Sequence, residues 1–182
     1  IFNNISYAEK WNINISGYLS GFKVGESIVT FELDNNHYKL TADSTTTGIT
    51  KLFYPWKQNI IVKGIIQNGN IVPSTYKIND LREDNKKGHM HINYKDHMPF
   101  IKSANPSPSN DTRREEVANN LLLYSLDPVT SIIQLGILSG LSNSCDHEIP
   151  VFDGRRRFNL KYLLLNKEID NITCELKIVR LA

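Results

Sequence analysis

The sequence predicts a mainly β fold: an antiparallel meander, a short helical insert around residues 113–139, and three later strands. Three observations predict it. Apolar residues recur at every second position through most of the first hundred residues, which is the period of a half-buried strand. Asn- and Gly-rich turn signals separate these runs. The period then changes once, to the helical one, after a loop rich in Ser, Pro and Asn.

The first strand is read from Trp11, Ile13 and Ile15 on one face against Asn12, Asn14 and Ser16 on the other. Gly17 and Gly21 bracket "YLS", and Val29, Phe31 and Leu33 mark a second strand. Asp34-Asn35-Asn36 tolerate left-handed backbone and form a turn, after which Tyr38, Leu40 and Ala42 share a face. "WKQNIIVKGIIQ" and "NIVPSTYKI" flank the Asn68-Gly69-Asn70 turn as a hairpin. "HMHINY" places Met90, Ile92 and Tyr94 on one side, "TTTGITKLF" (45–53) reads as a short helical turn or crossover, and 103–116 as a surface loop. Val117, Leu121 and Tyr124 have helical spacing. Asp127 is a suitable N-cap with Pro128 at the first helical position, and Ile132, Ile133 and Leu135 are the expected apolar face. Strands at 148–153, 156–166 and 172–181 complete the chain.

The 182 residues suffice for one domain with a real core, expected to span 9–182. Residues 1–8 are expected to be a signal-peptide remnant, because Ser6-Tyr7-Ala8 before Glu9 has the small-x-small form of a cleavage site, or an unstructured terminus. A net charge of +2 is too small for a nucleic-acid interface, and no apolar run is long enough to span a membrane as a helix. Cys145 and Cys174 form no CxxC pair and have no histidine at zinc-ribbon spacing. In an exported protein they suggest one disulfide, and in the cytosol two buried thiols.

Four places are candidates for function. In "EIPVFDGRRRFNL" (148–160), Asp153-Gly154 is a strong two-residue hairpin signal, with Arg155 and Arg156 at the turn exit. Alternation sends Phe158, Leu160 and Tyr162 one way and Arg157, Asn159 and Lys161 the other, so solvated arginines are favoured over an anion contact by Arg155 and Arg156. His89 and His91 on one strand face could hold a metal with His97 or Asp96, but alternation with Met90 and Ile92 already explains them, so no metal and no cofactor are expected. Phe53, Tyr54 and Trp56 around Pro55 could line a groove, although core filling is the commoner use of such residues. Nucleophile-elbow, phosphate-loop, dinucleotide and HExxH patterns do not occur, and no catalytic residues are expected.

"YLSGFKVG", "NGNIVPSTY", "YSLDPVTS", "IPVFDGRRRFNL" and the cysteine pair, in that order, resemble the domain-of-unknown-function 3108 family of exported Gram-negative proteins over most of the chain. The resemblance implies a periplasmic location, a Cys145–Cys174 disulfide and a bent, nearly closed antiparallel sheet of spiral or half-barrel form. It implies no catalytic residues, and it suggests a relation to envelope-integrity proteins and lipoprotein carriers. Similar proteins continue beyond "CELKIVRLA", which suggests a truncated member and leaves closure of the sheet open. The expected role is non-catalytic envelope maintenance, with a lipidic or peptidic ligand held in the concave face. The partners would then be lipid or envelope proteins, not nucleic acid. The alternatives are a metal site at His89 and His91, or a scaffold binding envelope proteins through a strand edge.

Overall fold

A computed structural model describes residues 8–81, 88–110, 116–168 and 171–181. Seven strands form one antiparallel sheet in sequence order: β1 (Ala8–Leu19), β2 (Phe22–Asp34), β3 (His37–Thr46), β4 (Lys57–Gln67), β5 (Asn70–Asp80), β6 (His89–Lys95) and β7 (Met98–Asn105). A short helix, α1 (Gly48–Phe53), links β3 to β4. After β7 come α2 (Asn119–Leu122) and α3 (Pro128–Ser142). β8 (His147–Phe152), β9 (Arg157–Lys167) and β10 (Ile172–Arg180) form a second antiparallel sheet in the order β10-β9-β8. The expected mainly β architecture is present, and the seven-stranded sheet is open, with β1 and β7 as its edges. Of the residues 1–8 expected as a signal-peptide remnant or unstructured terminus, 1–7 lie outside the described residues and Ala8 opens β1.

Tight turns set the meander. Ser20-Gly21, Asn68-Gly69 and Asp96-His97 each place two consecutive residues at positive φ, as the common two-residue hairpin requires. The expected loop at 103–116 begins later than read, because Ser103–Asn105 still belong to β7, opposite His89–His91.

Strand register aligns the inward side chains into rows. One runs Trp11, Phe31, Leu40, Val62, Tyr76, Ile92; the next runs Ile13, Val29, Ala42, Ile60, Ile78, Met90. Both rows are almost wholly apolar, and α3 packs on this inner face through Val129, Ile133 and Ile137. Coverage is unequal. Val62 and Ile92 are 0% exposed, whereas Trp11, Ile13 and Ile15 are 42%, 49% and 53% exposed.

α3 faces the sheet with a polar stripe as well as an apolar one. Asp127, Thr130, Ser131 and Gln134 are all buried, while Ile132, expected on the apolar face, is exposed. Each buried polar group has a specific task. The Gln134 amide accepts from the Ile71 N–H (2.5 Å) and donates to the Gly69 carbonyl (3.0 Å). β6 pairs with β5 only from Thr75 onward, so the first residues of β5 have no strand on that side and the glutamine takes the place of one. The Thr130 and Tyr38 hydroxyls share a hydrogen bond of 3.2 Å. Asp127 caps the helix as expected, accepting from Val129 N–H (3.1 Å) and Thr130 N–H (2.9 Å).

The other side of α3 packs on the second sheet. Leu135 joins Ile149, Val151 and Leu160 in a second apolar cluster, flanked by Phe158 and Tyr162. A parallel bridge between Leu126 and Val151 ties the helix entry to β8. Cys145 and Cys174 form the disulfide, with Cα atoms 6.0 Å apart, joining the approach to β8 with β10. Closing its loop removes roughly 3–4 kcal/mol of chain entropy from the unfolded state. The expected helix through Val117, Leu121 and Tyr124 is shorter than its spacing suggests. α2 ends at Leu122, and Tyr124 turns to φ 62° with its ring against His97 (5.0 Å). The part of the expected insert at 113–115 lies outside the described residues.

Burial pushes the Asp127 carboxyl up to about 6, and the cap hydrogen bonds only partly oppose this. Its folded pKa therefore lies above the unfolded value of 3.8, so the ionised group costs roughly 3 kcal/mol of stability above pH 6. That cost is relieved as pH falls from 6 toward 4, because the folded state then binds more protons than the unfolded one. Asp127→Asn keeps an acceptor for the cap and removes the titration. In urea unfolding, the stability difference between wild type and variant should move in favour of wild type by roughly 2–3 kcal/mol between pH 7 and pH 4. Parallel pH profiles would contradict this.

Candidate functional site

The arginine hairpin folds differently from its sequence reading. Phe152 pairs with Arg157, so the loop contains four residues, Asp153–Arg156, rather than two. The Asp153 carboxylate organises it by accepting from the Arg155 N–H (2.8 Å) and the Arg156 N–H (2.7 Å). Gly154 takes φ 92° and is buried against Met90, whose side chain comes within 2.5 Å of where a Cβ would stand. Arg155 donates to the Pro106 carbonyl (2.5 Å), and Arg156 is exposed. The three arginines do not converge on one anion pocket. Arg157, expected in solvent, is 7% exposed. Its guanidinium donates to the Leu121 carbonyl (2.7 Å), the Phe158 carbonyl (2.5 Å) and Asn159 Oδ1 (2.6 Å). Alternation alone could not find this, because the segment that covers the outward face of β9 is the chain around α2.

The histidine pair has no third ligand beside it among the described residues. His89 is exposed and His91 half-buried on the outward face of β6, while Asp96 and His97 form the turn at the opposite end of that strand. Burial and the neighbouring Lys77 ammonium both lower the His91 pKa, an environment that repels a second positive charge. Among the described residues no group of three His, Cys, Asp or Glu side chains could hold a metal ion.

Phe53 and Tyr54 do not fill the core: they are exposed, with Trp56 half-buried beside them. Trp56 is fixed by its backbone, since its N–H donates to the Thr46 hydroxyl (3.0 Å) and its carbonyl accepts from the Thr46 N–H (3.0 Å). These residues lie on and just after α1.

A cleft of about 530 Å³ is lined by Glu32, His37, Tyr38, Lys39, Lys63 and Val72. Two further regions are candidates among the described residues. One is a cleft of about 580 Å³ beside edge strand β7, with Phe100, Ile101, Val117, Leu122 and Phe152 as its apolar lining and Glu116 and Arg155 as charged members. Residues 111–115, between parts of its wall, are outside the described set. The other is the uncovered end of the inner face. There Trp11 contacts Phe31 (centroids 5.6 Å), and Phe31 stacks on Tyr38 (6.2 Å), so an aromatic ladder runs from the surface to the buried polar stripe of α3. The residues of this second site were legible as strand alternation, but the sequence carried no sign that their inward face is left open.

The buried ionisable groups nearby are structural. Burial, reinforced by the Asp127 charge, raises the pKa values of Tyr38, Tyr76 and Tyr94, so these phenols stay protonated. Asp127 Oδ2 and the Tyr94 hydroxyl are buried and make no hydrogen bond among the described residues. The uncovered face offers apolar area and aromatic edges.

The chain belongs to the family described as "protein of unknown function (DUF3108)", whose model matches residues 6–176. No curated protein and no solved structure matches it.

Substitutions in the arginine hairpin should rank by burial. Gly154→Val forces positive φ on a branched side chain and should cost more than about 1 kcal/mol. Arg157→Ala unpairs the Leu121 carbonyl and should cost about 2–3 kcal/mol. The Arg155→Gln, Arg156→Gln double variant should cost less than about 1 kcal/mol. Denaturant midpoints decide the order; a double variant as unstable as Arg157→Ala would overturn it.

Proposed function

We propose that the protein is a non-catalytic binder of an apolar or amphipathic ligand, lipidic or peptidic, serving envelope maintenance in the periplasm of a Gram-negative bacterium. One observation carries the reading: the apolar rows of the inner face continue without a break into Trp11 and Ile13, with Ile15 beside them on the same strand face, yet the cover over them stops. A ligand chain laid on β1 and β2 would extend the core and displace water from a surface that is otherwise costly to expose. The Cys145–Cys174 disulfide supports an oxidising compartment. A non-catalytic role is supported by Asp127, whose Oδ1 is engaged as a helix cap.

A strand-edge scaffold is the second reading, favoured by β1, which among the described residues pairs with β2 alone and leaves its other edge without a strand over twelve residues. A ligand on the inner face and a peptide on the edge differ in what they contact. The first needs the inward side chains, and the second needs the backbone.

A dansyl-labelled long-chain fatty acid separates them. Wild-type protein should enhance its emission on binding, and Ile13→Asp should weaken binding at least about tenfold. The thermal midpoint should stay nearly unchanged because the position is half exposed. Equal affinity in the variant, or no binding by wild type, would refute the inner-face site.

A further inference from the structure

One end of the seven-stranded sheet carries a concentration of exposed apolar side chains that the inner-face reading does not use. At the tip of the β1–β2 hairpin, Tyr18, Leu19 and Phe22 are 65%, 68% and 69% exposed. In α1, Ile49, Leu52 and Phe53 are 63%, 81% and 82% exposed, and their spacing of three and four residues puts them on one side of the helix. None of the six α1 residues is buried.

These two clusters sit together. β3 ends at Thr46 opposite Gly25 of β2, and Gly25 in turn faces Gly17 of β1. The next residue, Thr47, donates its N–H to the Val24 carbonyl (3.1 Å). A Cβ on Gly48 would lie 3.1 Å from the Lys23 carbonyl. α1 is therefore held against the first residues of β2 after the hairpin turn, and the two apolar groups lie at one end of the sheet.

Among the described residues the two segments at this end carry lysines, of which Lys23 is paired with Glu26 and Lys51 and Lys57 remain. Residues 17–25 and 44–58 contain three lysines, Lys23, Lys51 and Lys57, and no Asp or Glu. Glu26 pairs with Lys23 (2.9 Å), and Asp80 stands opposite Gln58 on β5, so the acids lie behind the tip on the strands. Tyr54, 57% exposed, adds a phenol beside the helix. Exposed Leu, Ile and Phe with Tyr at the margin and lysines around them form the composition of a surface that rests in the headgroup region of a bilayer. A second copy of the tip would meet it with lysine against lysine, whereas anionic lipid supplies the missing charge.

We propose that the β1–β2 hairpin tip and α1 form a membrane-docking end that inserts its apolar side chains into the interfacial layer of an anionic lipid bilayer. The inference does not rest on the ligand reading of the inner face, since it uses different residues. It adds to that reading a route by which an apolar chain could pass between a bilayer and β1.

Vesicle co-sedimentation tests it with the full chain. Wild type should bind vesicles of phosphatidylcholine with phosphatidylglycerol, bind pure phosphatidylcholine more weakly, and be partly released by salt. Leu52→Asp with Phe53→Asp, and separately Leu19→Asp with Phe22→Asp, should each lower partitioning at least about tenfold. The serine counterparts should lower it in the same direction, which keeps the test valid if an aspartate variant fails to fold. Ile13→Asp should bind vesicles like wild type while losing the fatty-acid probe, so failure of one site is distinguishable from failure of the other. The proposal is overturned if wild type binds neither vesicle, or if the tip variants bind as well as wild type. Concentration-dependent dimers that the tip variants abolish, without vesicle binding, would assign the patch to self-association and also overturn it.

Discussion

The hydrogen bonds from Gln134 to β5 are the constraint on which the rest of the arrangement depends. A helix laid across a sheet normally presents apolar side chains alone, because each buried polar atom must find a partner or cost stability. Here β5 starts before β6 reaches it, leaving the Gly69 carbonyl and the Ile71 N–H without a strand on that side. One glutamine amide satisfies both. The hydrogen bond between Thr130 and Tyr38 and the Asp127 cap then fix the helix one turn and two turns earlier along the same stripe. Two polar contacts to the sheet, from Thr130 and Gln134, set the register of α3 more tightly than apolar packing would, and the Asp127 cap fixes where the helix starts.

With α3 so placed, the inner face cannot be covered throughout. Seven strands at their usual spacing span roughly 29 Å, whereas one helix with its side chains is about 10–12 Å wide. The second sheet does not remedy this, because it packs on the opposite side of α3 around Leu135, Val151 and Leu160. Exposure therefore rises from the middle of the sheet toward β1, where the same apolar rows run on uncovered. A surface of that kind invites a ligand or a partner. The open face is a consequence of one geometric decision, the seating of the helix.

Much of the fold was legible because strands announce themselves by alternation. Trp11, Ile13 and Ile15 were read correctly as one face, as were Tyr38, Leu40 and Ala42, and the Asp127-Pro128 start of α3 followed from capping chemistry. What escaped reading depends on neighbours distant in sequence. Arg157 alternates as an outward residue, but the chain around Leu121 folds over it and supplies a carbonyl. Ile132 looks like part of an apolar helix face, yet α3 lies between two sheets and spends its buried surface on Thr130, Ser131 and Gln134. Phe53 and Tyr54 have core composition, but α1 is too short to turn them inward while its backbone is held to β2. Asp153-Gly154 gave the hairpin its place, though not its loop length, because the Asp153 carboxylate draws in the next two N–H groups. Periodicity reports which residues share a face; it cannot report what covers that face.

The most direct measurement is isoleucine methyl NMR during titration with a long-chain fatty acid. A ligand that extends the uncovered end of the inner face should shift the methyl groups of Ile13 and Ile15, which are 49% and 53% exposed, and leave Ile92, wholly buried beneath the covered part, unmoved. Shifts at Ile92 equal to those at Ile13 would mean that α3 leaves the sheet when ligand binds, and a fixed seat for the helix would then be wrong. Absence of shifts at Ile13 and Ile15 at saturating ligand would contradict the site itself.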